Sequence, residues 1–276
     1  MRQARSVVFD RKLRFELLES RVLLAGNVVA SVVDGKLVIL GDRDDNAIKI
    51  TQIDPGIYTV SGLDGTTVND VASFTNTEAL TGSVKISMKA GADAVVIHPD
   101  DPVTLPKNLK VRMGRGDDGV CLEQLTVTGN TKIKTGAADD DVDIEGSTFQ
   151  GLFKLNTRSG DDRVAVSESQ FDGEVELKTR SGKDVVVVGD ATFADAVEAR
   201  LGENRDTMYV GDSVFEKAVE VHGGHRPDTL KVLADNTFNT DPVLKSIQRE
   251  NHPDQQVQDV LADLDIDAFC DELLAQ

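Results

Sequence analysis

Apolar residues recur along the middle of this chain at a fixed interval of 22 residues. In units that begin at Lys110, the second position is apolar in every unit, and two further apolar columns lie two residues apart, which is the spacing of a strand with one face turned inward. The columns are Val111, Ile133, Leu155, Leu177, Ala199 and Val221; Val120, Val142, Val164, Val186, Met208 and Leu230; and Leu122, Ile144, Val166, Val188, Val210 and Val232. Such a period indicates a repeat protein, in which each unit buries its apolar face only against its neighbours.

Polar and aromatic positions keep the same period. An aspartate recurs from Asp118 to Asp228, and a phenylalanine recurs from Phe149 to Phe215. Leucine-rich repeats have a similar length, but they need a spaced Leu/Asn consensus and a helical segment, whereas these units offer Gly, Asp, Ser and Thr. The pattern therefore predicts an all-β fold, a single-stranded parallel β-helix (β-solenoid) of about seven coils, right-handed by the usual crossover rule.

The repeats divide the chain into four parts. Residues 27–84 alternate apolar and polar positions between turn signals such as Asp54-Pro55-Gly56, which predicts an N-terminal β cap. The parallel β-helix occupies residues 85–241. Residues 242–276 carry apolar residues at helical spacing, which predicts a C-terminal helical cap or tail. Caps are expected because the open ends of a solenoid leave strand edges and core bare.

Composition and charge narrow the function classes. The chain carries a formal net charge of −18, which argues against nucleic acid as a partner, because phosphate binding needs a concentrated basic surface. No apolar run reaches the ~18 residues of a membrane span, so no transmembrane segment is predicted. Cys121 and Cys270 can pair only if the tail folds back, and the sequence favours two isolated thiols.

The remaining part, residues 1–26, places basic residues before a short apolar run. Its stretch Leu18–Ala25 resembles the Leu-Glu-Pro-Arg-x-Leu-Leu motif at the start of many planctomycete surface and secreted proteins, with Ser20 in place of proline; the run Lys12–Glu16 is also similar to that family. The resemblance implies export, hence a secreted or cell-surface location, and implies nothing about activity. The alternative is a basic start followed by a chance apolar helix.

The aspartate column is the first candidate site. In three coils a second aspartate precedes it, and the Asp-x-apolar-x-apolar phrase resembles half of the calcium-binding nonapeptide of RTX proteins, which implies Ca²⁺ as a ligand. The alternative, which the sequence favours, is a structural corner in which each aspartate accepts hydrogen bonds from the amides of its own turn. The candidate calcium ligands are Asp117, Asp118, Asp139, Asp140, Asp161 and Asp162.

A basic stripe is the second candidate site. It alternates with a buried column, so its side chains are expected to face outward, where a row of cations could bind an acidic polysaccharide or another surface protein. The stripe consists of Arg112, Lys134, Lys178 and Arg200, and Lys110, Lys132, Lys154, Arg158 and Arg180 share its face. The alternative is a solvated face whose charge is balanced by Glu176, Glu198 and Glu220.

Catalysis is the alternative function class, because many parallel β-helices are polysaccharide lyases or glycoside hydrolases. A glycosidase needs two acids with separated pKa values, whereas the acids here recur identically in every coil. His222-Gly-Gly-His225-Arg226 is faintly similar to the histidine motif of polygalacturonases, without the companions of that motif. We therefore predict a non-catalytic, secreted or cell-surface structural or adhesion module with no certain cofactor, and a polysaccharide lyase or hydrolase as the alternative.

Overall fold

The computed structural model describes residues 26–97, 102–252 and 255–264, and it confirms the predicted fold class. Three parallel sheets run along a β-solenoid with a repeat of about 22 residues and about seven turns. Each complete coil contributes one strand to each sheet, so the solenoid is three-sided. The predicted export motif at 18–25 lies outside the described residues, as do residues 98–101 of the first coil.

From residue 26 onward, where the described part of the chain begins, six strands precede the first complete coil. They are β1 (Asn27–Val33), β2 (Lys36–Leu40), β3 (Ala47–Asp54), β4 (Ile57–Leu63), β5 (Thr67–Val68) and β6 (Ser73–Thr75). Strands β2 and β3 pair in parallel with the first coil, whereas β1 runs antiparallel to β2 and β4 runs antiparallel to β3. The N-terminal part therefore adds a partial coil and then covers the edges of two of the three parallel sheets with antiparallel strands.

Seven complete coils follow. The first four are β7 (Val84–Ser87), β8 (Ala94–Ile97) and β9 (Val103–Leu105); β10 (Leu109–Arg112), β11 (Gly119–Glu123) and β12 (Leu125–Val127); β13 (Thr131–Ala137), β14 (Asp141–Glu145) and β15 (Thr148–Phe149); and β16 (Phe153–Ser159), β17 (Arg163–Ser167) and β18 (Gln170–Phe171). The last three are β19 (Val175–Ser181), β20 (Val185–Gly189) and β21 (Thr192–Phe193); β22 (Val197–Glu203), β23 (Thr207–Gly211) and β24 (Val214–Phe215); and β25 (Val219–Gly224), β26 (Asp228–Val232) and β27 (Thr237–Phe238). We call the sheets formed by the first, second and third strands of the coils sheet 1, sheet 2 and sheet 3.

The C-terminal part, as far as residue 264 and apart from 253–254, contains β28 (Val243–Lys245), β29 (Ile247–Asn251) and the helix α1 (Val257–Leu264). The two strands pair in parallel with β25 and β26, so the solenoid continues into the segment that the sequence assigned to the tail. The helix packs against the outer side of sheet 2, where Val257 approaches Gly189 and Gly211. The helix therefore covers part of one side of the solenoid. Among the described residues no helix is long and apolar enough to cross a membrane.

The predicted apolar columns form the core. All three columns are buried, with exposures of 8% or less. The rings of the phenylalanine column stack inside the solenoid, with ring centroids 4.9 Å apart for Phe171 and Phe193 and 4.8 Å apart for Phe193 and Phe215. These distances match the spacing of about 4.8 Å between parallel strands, so each coil places one ring directly on the next.

Cys121 is buried in β11 and is disulfide-bonded, contrary to the expectation of an isolated thiol. Cys270, the other cysteine of the sequence, lies outside the described residues.

Candidate functional site

The aspartate column forms a hydrogen-bonded ladder at the corner between sheets 1 and 2. Oδ1 of Asp140 accepts a hydrogen bond from the N–H of Asp118 at 3.0 Å, and Oδ1 of Asp162 accepts one from Asp140 at 3.0 Å. The sequence favoured bonds within each turn; the donor is instead one coil back, because parallel coils stack in register. The ladder comprises the buried residues Asp93, Asp118, Asp140, Asp162, Asp184, Asp206 and Asp228.

The second oxygen of each ladder aspartate, Oδ2, is buried and has no hydrogen-bond partner in the described part of the chain. Loss of solvation on burial raises the pKa of Asp140 to about 6, of Asp162 to about 7 and of Asp118 to about 8. A carboxyl group without a compensating cation avoids the cost of a buried charge by keeping its proton. The ladder therefore has a structural role, and its carboxyl groups are partly protonated near neutral pH.

The doubled aspartates proposed as calcium ligands divide between two environments. Asp139 is exposed, whereas Asp140 beside it is buried. The outer residues bond in the opposite direction along the solenoid: Oδ1 of Asp117 accepts from the N–H of Asp139 at 3.2 Å, and Oδ1 of Asp139 accepts from Asp161 at 2.7 Å. Calcium binding stays a prediction, and its accessible carboxylates are those of Asp117, Asp139 and Asp161.

One group of acidic and histidine side chains was not singled out as a site from the sequence. Ligand atoms of Glu198, Glu220 and His222 lie within 4.8 Å of one another on the outer face of sheet 1. The Nε2 atom of His222 is 3.3 Å from Oε1 of Glu220 and 3.9 Å from Oε1 of Glu198. Arg200 and Lys245 contact the same two carboxylates, so side-chain cations already compensate this group.

The predicted basic stripe is one column on the outer face of sheet 1. The register pairs Arg112 with Lys134 and Lys178 with Arg200, and Asn156 lies between the two pairs. Arg112 and Arg200 are exposed, and the two lysines are half-buried. The stripe therefore faces solvent, but its two halves differ in their neighbours.

The C-terminal half of the stripe is neutralised by glutamates in the adjacent column. Lys178 contacts Glu176, and the guanidinium of Arg200 lies 2.5 Å from Oε1 of Glu198. Hydrogen bonds from Lys154 and Lys178 lower the pKa of Glu176 to about 2. For this half, the interpretation as a balanced, solvated face fits the structure.

The N-terminal half carries cations without acidic neighbours. We call this group the basic face: Lys85, Lys110, Arg112, Lys132 and Lys134. Within the described residues none of them forms an ion pair. Repulsion by Arg112, together with partial burial and repulsion by Lys85 and Lys132, lowers the pKa of Lys110. The basic face is therefore a region of uncompensated positive charge on an acidic protein.

An acidic groove adjoins the basic face. It has a volume of about 420 Å³, and its walls include Lys154, Glu176, Glu198 and Glu220. Hydrogen bonds from lysines lower the pKa values of Glu176 and Glu220. A general acid needs the opposite shift, so these two carboxyl groups do not have the properties of the proton donor of a glycosidase.

Comparisons of the chain with protein-family models, with curated proteins and with solved structures find no match. What the chain binds must therefore be inferred from the geometry of its own side chains.

Proposed function

We propose that this chain is a non-catalytic, secreted or cell-surface β-solenoid that binds an acidic polysaccharide along the basic face. The observation that carries the proposal is a set of five cations that have no ion-pair partner among the described residues, on a chain with a net charge of −18. Like charges on adjacent strands destabilise a sheet. An anionic ligand bound along the basic face would neutralise these cations and remove the repulsion between them.

The spacing of the cations favours a polysaccharide over a nucleic acid. Lys85, Lys110 and Lys132 occupy the same position in successive coils, about 4.8 Å apart, which is close to the length of one sugar residue in an extended chain. Phosphates of duplex DNA advance about 3.4 Å per nucleotide along the helix axis and follow a helical path, whereas these lysines form a straight row. The outward positions of β7, β10, β13 and β16 also hold no aromatic side chain on which a base could stack.

A surface location and an adhesive role complete the proposal. The location is supported by the N-terminal resemblance to exported planctomycete proteins. The role is supported by the solenoid, which displays identical positions at regular intervals along one straight face. Adhesion suits a surface that holds a polymer through many weak, repeated contacts.

The test compares two variants that lose the same charge. Retention on immobilised polyuronate at about 0.15 M salt is measured for the wild type, for Lys110→Gln/Lys132→Gln and for Lys183→Gln/Arg205→Gln. The second pair is exposed at a corner of the solenoid, outside the basic face. We expect the first variant to elute early and the control to elute with the wild type; equal behaviour of the two variants contradicts the proposal.

The same proteins and polymers test whether the chain prefers another ligand and whether it is a polysaccharide-cleaving enzyme. Double-stranded DNA and a neutral glycan serve as competitors, and tighter binding of DNA than of polyuronate would overturn the choice of ligand. Thermal melts of the protein alone, with millimolar Ca²⁺ and with a chelator, test the predicted calcium ligands. Release of reducing ends or of unsaturated sugars from the polyuronate would replace the non-catalytic proposal by a hydrolase or a lyase.

A further inference from the structure

Two arginines occupy backbone positions at which the adjoining coils have glycine. Arg158 has φ +89° and Arg180 has φ +83°. In the register of sheet 1 they align with Gly136 on one side and Gly202 on the other, both also at positive φ. A bulky side chain is strained in this region, and glycine would adopt it freely. The presence of arginine in both coils therefore points to a role for the side chains.

The two arginines line one open cavity beside the basic face. The cavity has a volume of about 490 Å³, and its walls are Arg158, Ser159, Arg180, Ser181 and Glu203. Two successive coils thus contribute the same Arg-Ser pair, about 4.8 Å apart, and the next coil closes the cavity with a carboxylate. This size and this mixture of cations, hydroxyls and one acid suit a small polar group.

Neighbouring groups orient one guanidinium and place the cavity next to the basic face. Nε of Arg180 donates a hydrogen bond to Oδ1 of Asn156 at 2.9 Å, which restrains the orientation of the guanidinium. Partial burial and repulsion by nearby cations, Arg158 and Arg180 among them, lower the pKa of Lys134. The cavity and the basic face are therefore parts of one positive surface.

We propose that this cavity is a subsite for one uronate residue of the bound polysaccharide. Its carboxylate would lie between the guanidiniums of Arg158 and Arg180, a geometry that arginine supports with paired hydrogen bonds. The sugar hydroxyls would donate to Glu203 and bond to the hydroxyls of Ser159 and Ser181. Glu203 separates this assignment from simple anion attraction, because its carboxylate accepts hydrogen bonds from the hydroxyls of a uronate but repels anionic groups, and a densely sulfated sugar has few hydroxyls left to donate. The inference rests on the proposed function, since it names the kind of sugar bound there.

The first test replaces both arginines with the residue that the adjoining coils use. Binding of an oligogalacturonate of defined length is measured by titration calorimetry for the wild type and for Arg158→Gly/Arg180→Gly. We expect about a tenfold or larger loss of affinity, as for the removal of charge-assisted hydrogen bonds, and a melting temperature that is unchanged or higher because the backbone strain is relieved. The control Lys183→Gln/Arg205→Gln loses the same charge and should keep its affinity.

The second test uses Glu203→Ala and two polyanions. If Glu203 accepts hydrogen bonds from a uronate, the variant binds the oligogalacturonate about threefold or more weakly while its affinity for dextran sulfate stays the same or rises. If the surface attracts anions without recognising the sugar, removal of this negative charge tightens the binding of both polymers. The second result overturns the uronate assignment.

The outcomes separate the subsite from the proposed function. A wild-type chain that binds no polyanion contradicts both. A wild-type chain that binds the oligogalacturonate while Arg158→Gly/Arg180→Gly keeps full affinity overturns the subsite alone, and the basic face then carries the binding. Stronger binding of dextran sulfate than of oligogalacturonate by the wild type overturns the choice of a uronate.

Discussion

The backbone N–H of Asp118 donates a hydrogen bond to Oδ1 of Asp140, 3.0 Å away in the next coil, and the same bond recurs along the solenoid. Each coil is thus joined to the next by a carboxyl group that water does not reach. Because Oδ2 of Asp140 has no partner within the described residues, the ladder holds the coils in register most effectively when the carboxyl group is neutral.

Replacement of Asp140 by asparagine should therefore stabilise the protein at pH 8. The amide keeps the oxygen that accepts the hydrogen bond and removes the group that would ionise. We expect the free energy of unfolding in urea at pH 8 to rise by about 1–3 kcal/mol for Asp140→Asn, and to change little at pH 4. Asp140→Ala, which loses the acceptor, should lower it at both values. If Asp140→Asn lowers the free energy of unfolding at pH 8 as much as Asp140→Ala does, the ladder does not favour a neutral group at this position.

The ladder also determines how stability depends on pH. Burial raises the pKa of Asp118 to about 8 and of Asp206 to about 7 from the ordinary 3.8, so between these values the folded chain binds more protons than the unfolded chain. Stability should fall as the pH rises from about 4 to about 8. Glu176 acts in the opposite sense: its lowered pKa stabilises the fold above 4.5, and this contribution is lost as the pH falls toward about 2. Thermal melts should show a higher melting temperature at pH 5 than at pH 8; the reverse order contradicts the ladder.

The phenylalanine stack should be most sensitive in its middle. Phe193 is buried between Phe171 and Phe215, whereas Phe238 is half-buried at the end of the stack. We expect Phe193→Ala to lower the free energy of unfolding by about 3–5 kcal/mol. Phe238→Ala should lower it by less than half as much, because the end position already contacts solvent. Urea denaturation of the two variants gives the comparison, and equal losses would show that the stack does not act as a continuous core.

Close packing of adjacent coils leaves no room for a side chain at Gly182 in the backbone conformation that this residue adopts. Gly182 has φ +142°, and a Cβ atom there would lie 1.6 Å from the carbonyl oxygen of Gly160. Gly182→Ala should therefore cost more than about 3 kcal/mol or prevent folding. Gly146, at φ +56° with its nearest neighbour at 3.7 Å, is the matched control, and Gly146→Ala should cost only about 1–2 kcal/mol. Circular dichroism and thermal melts of both variants would show the difference, and a stable Gly182→Ala variant would contradict the spacing of the coils.

The fold was predictable because the repeat makes each signal recur. The two-residue spacing of Val120 and Leu122 identified an inward strand, and repetition in every coil removed the ambiguity of a single short run. The strand of sheet 3 was not predicted, since pairs such as Thr148–Phe149 are too short to show an alternation. The partial coil of β2 and β3 was also not predicted, because it lies before the first repeat that keeps the period.

The candidate site was only partly predictable. Alternation correctly placed Arg112 and Lys134 on an outer face, but it could not show which cations have acidic partners. A signal was present in the sequence. In the outward column beside the stripe, lysine gives way to glutamate between Lys154 and Glu176, and this change marks where the charge of the stripe becomes balanced. The cavity at Arg158 was not predictable, because it depends on a left-handed backbone conformation that arginine rarely adopts.

The most direct test of the basic face is the salt dependence of polyuronate binding. The dissociation constant of the whole chain is measured by titration calorimetry between about 0.05 and 0.2 M salt, beside Lys110→Gln and Lys132→Gln. If the basic face holds the polymer, affinity falls steeply with salt, and each substitution reduces the slope of log K against log salt by about one unit. Undetectable binding at about 0.05 M salt, or a slope that neither substitution changes, would contradict the account.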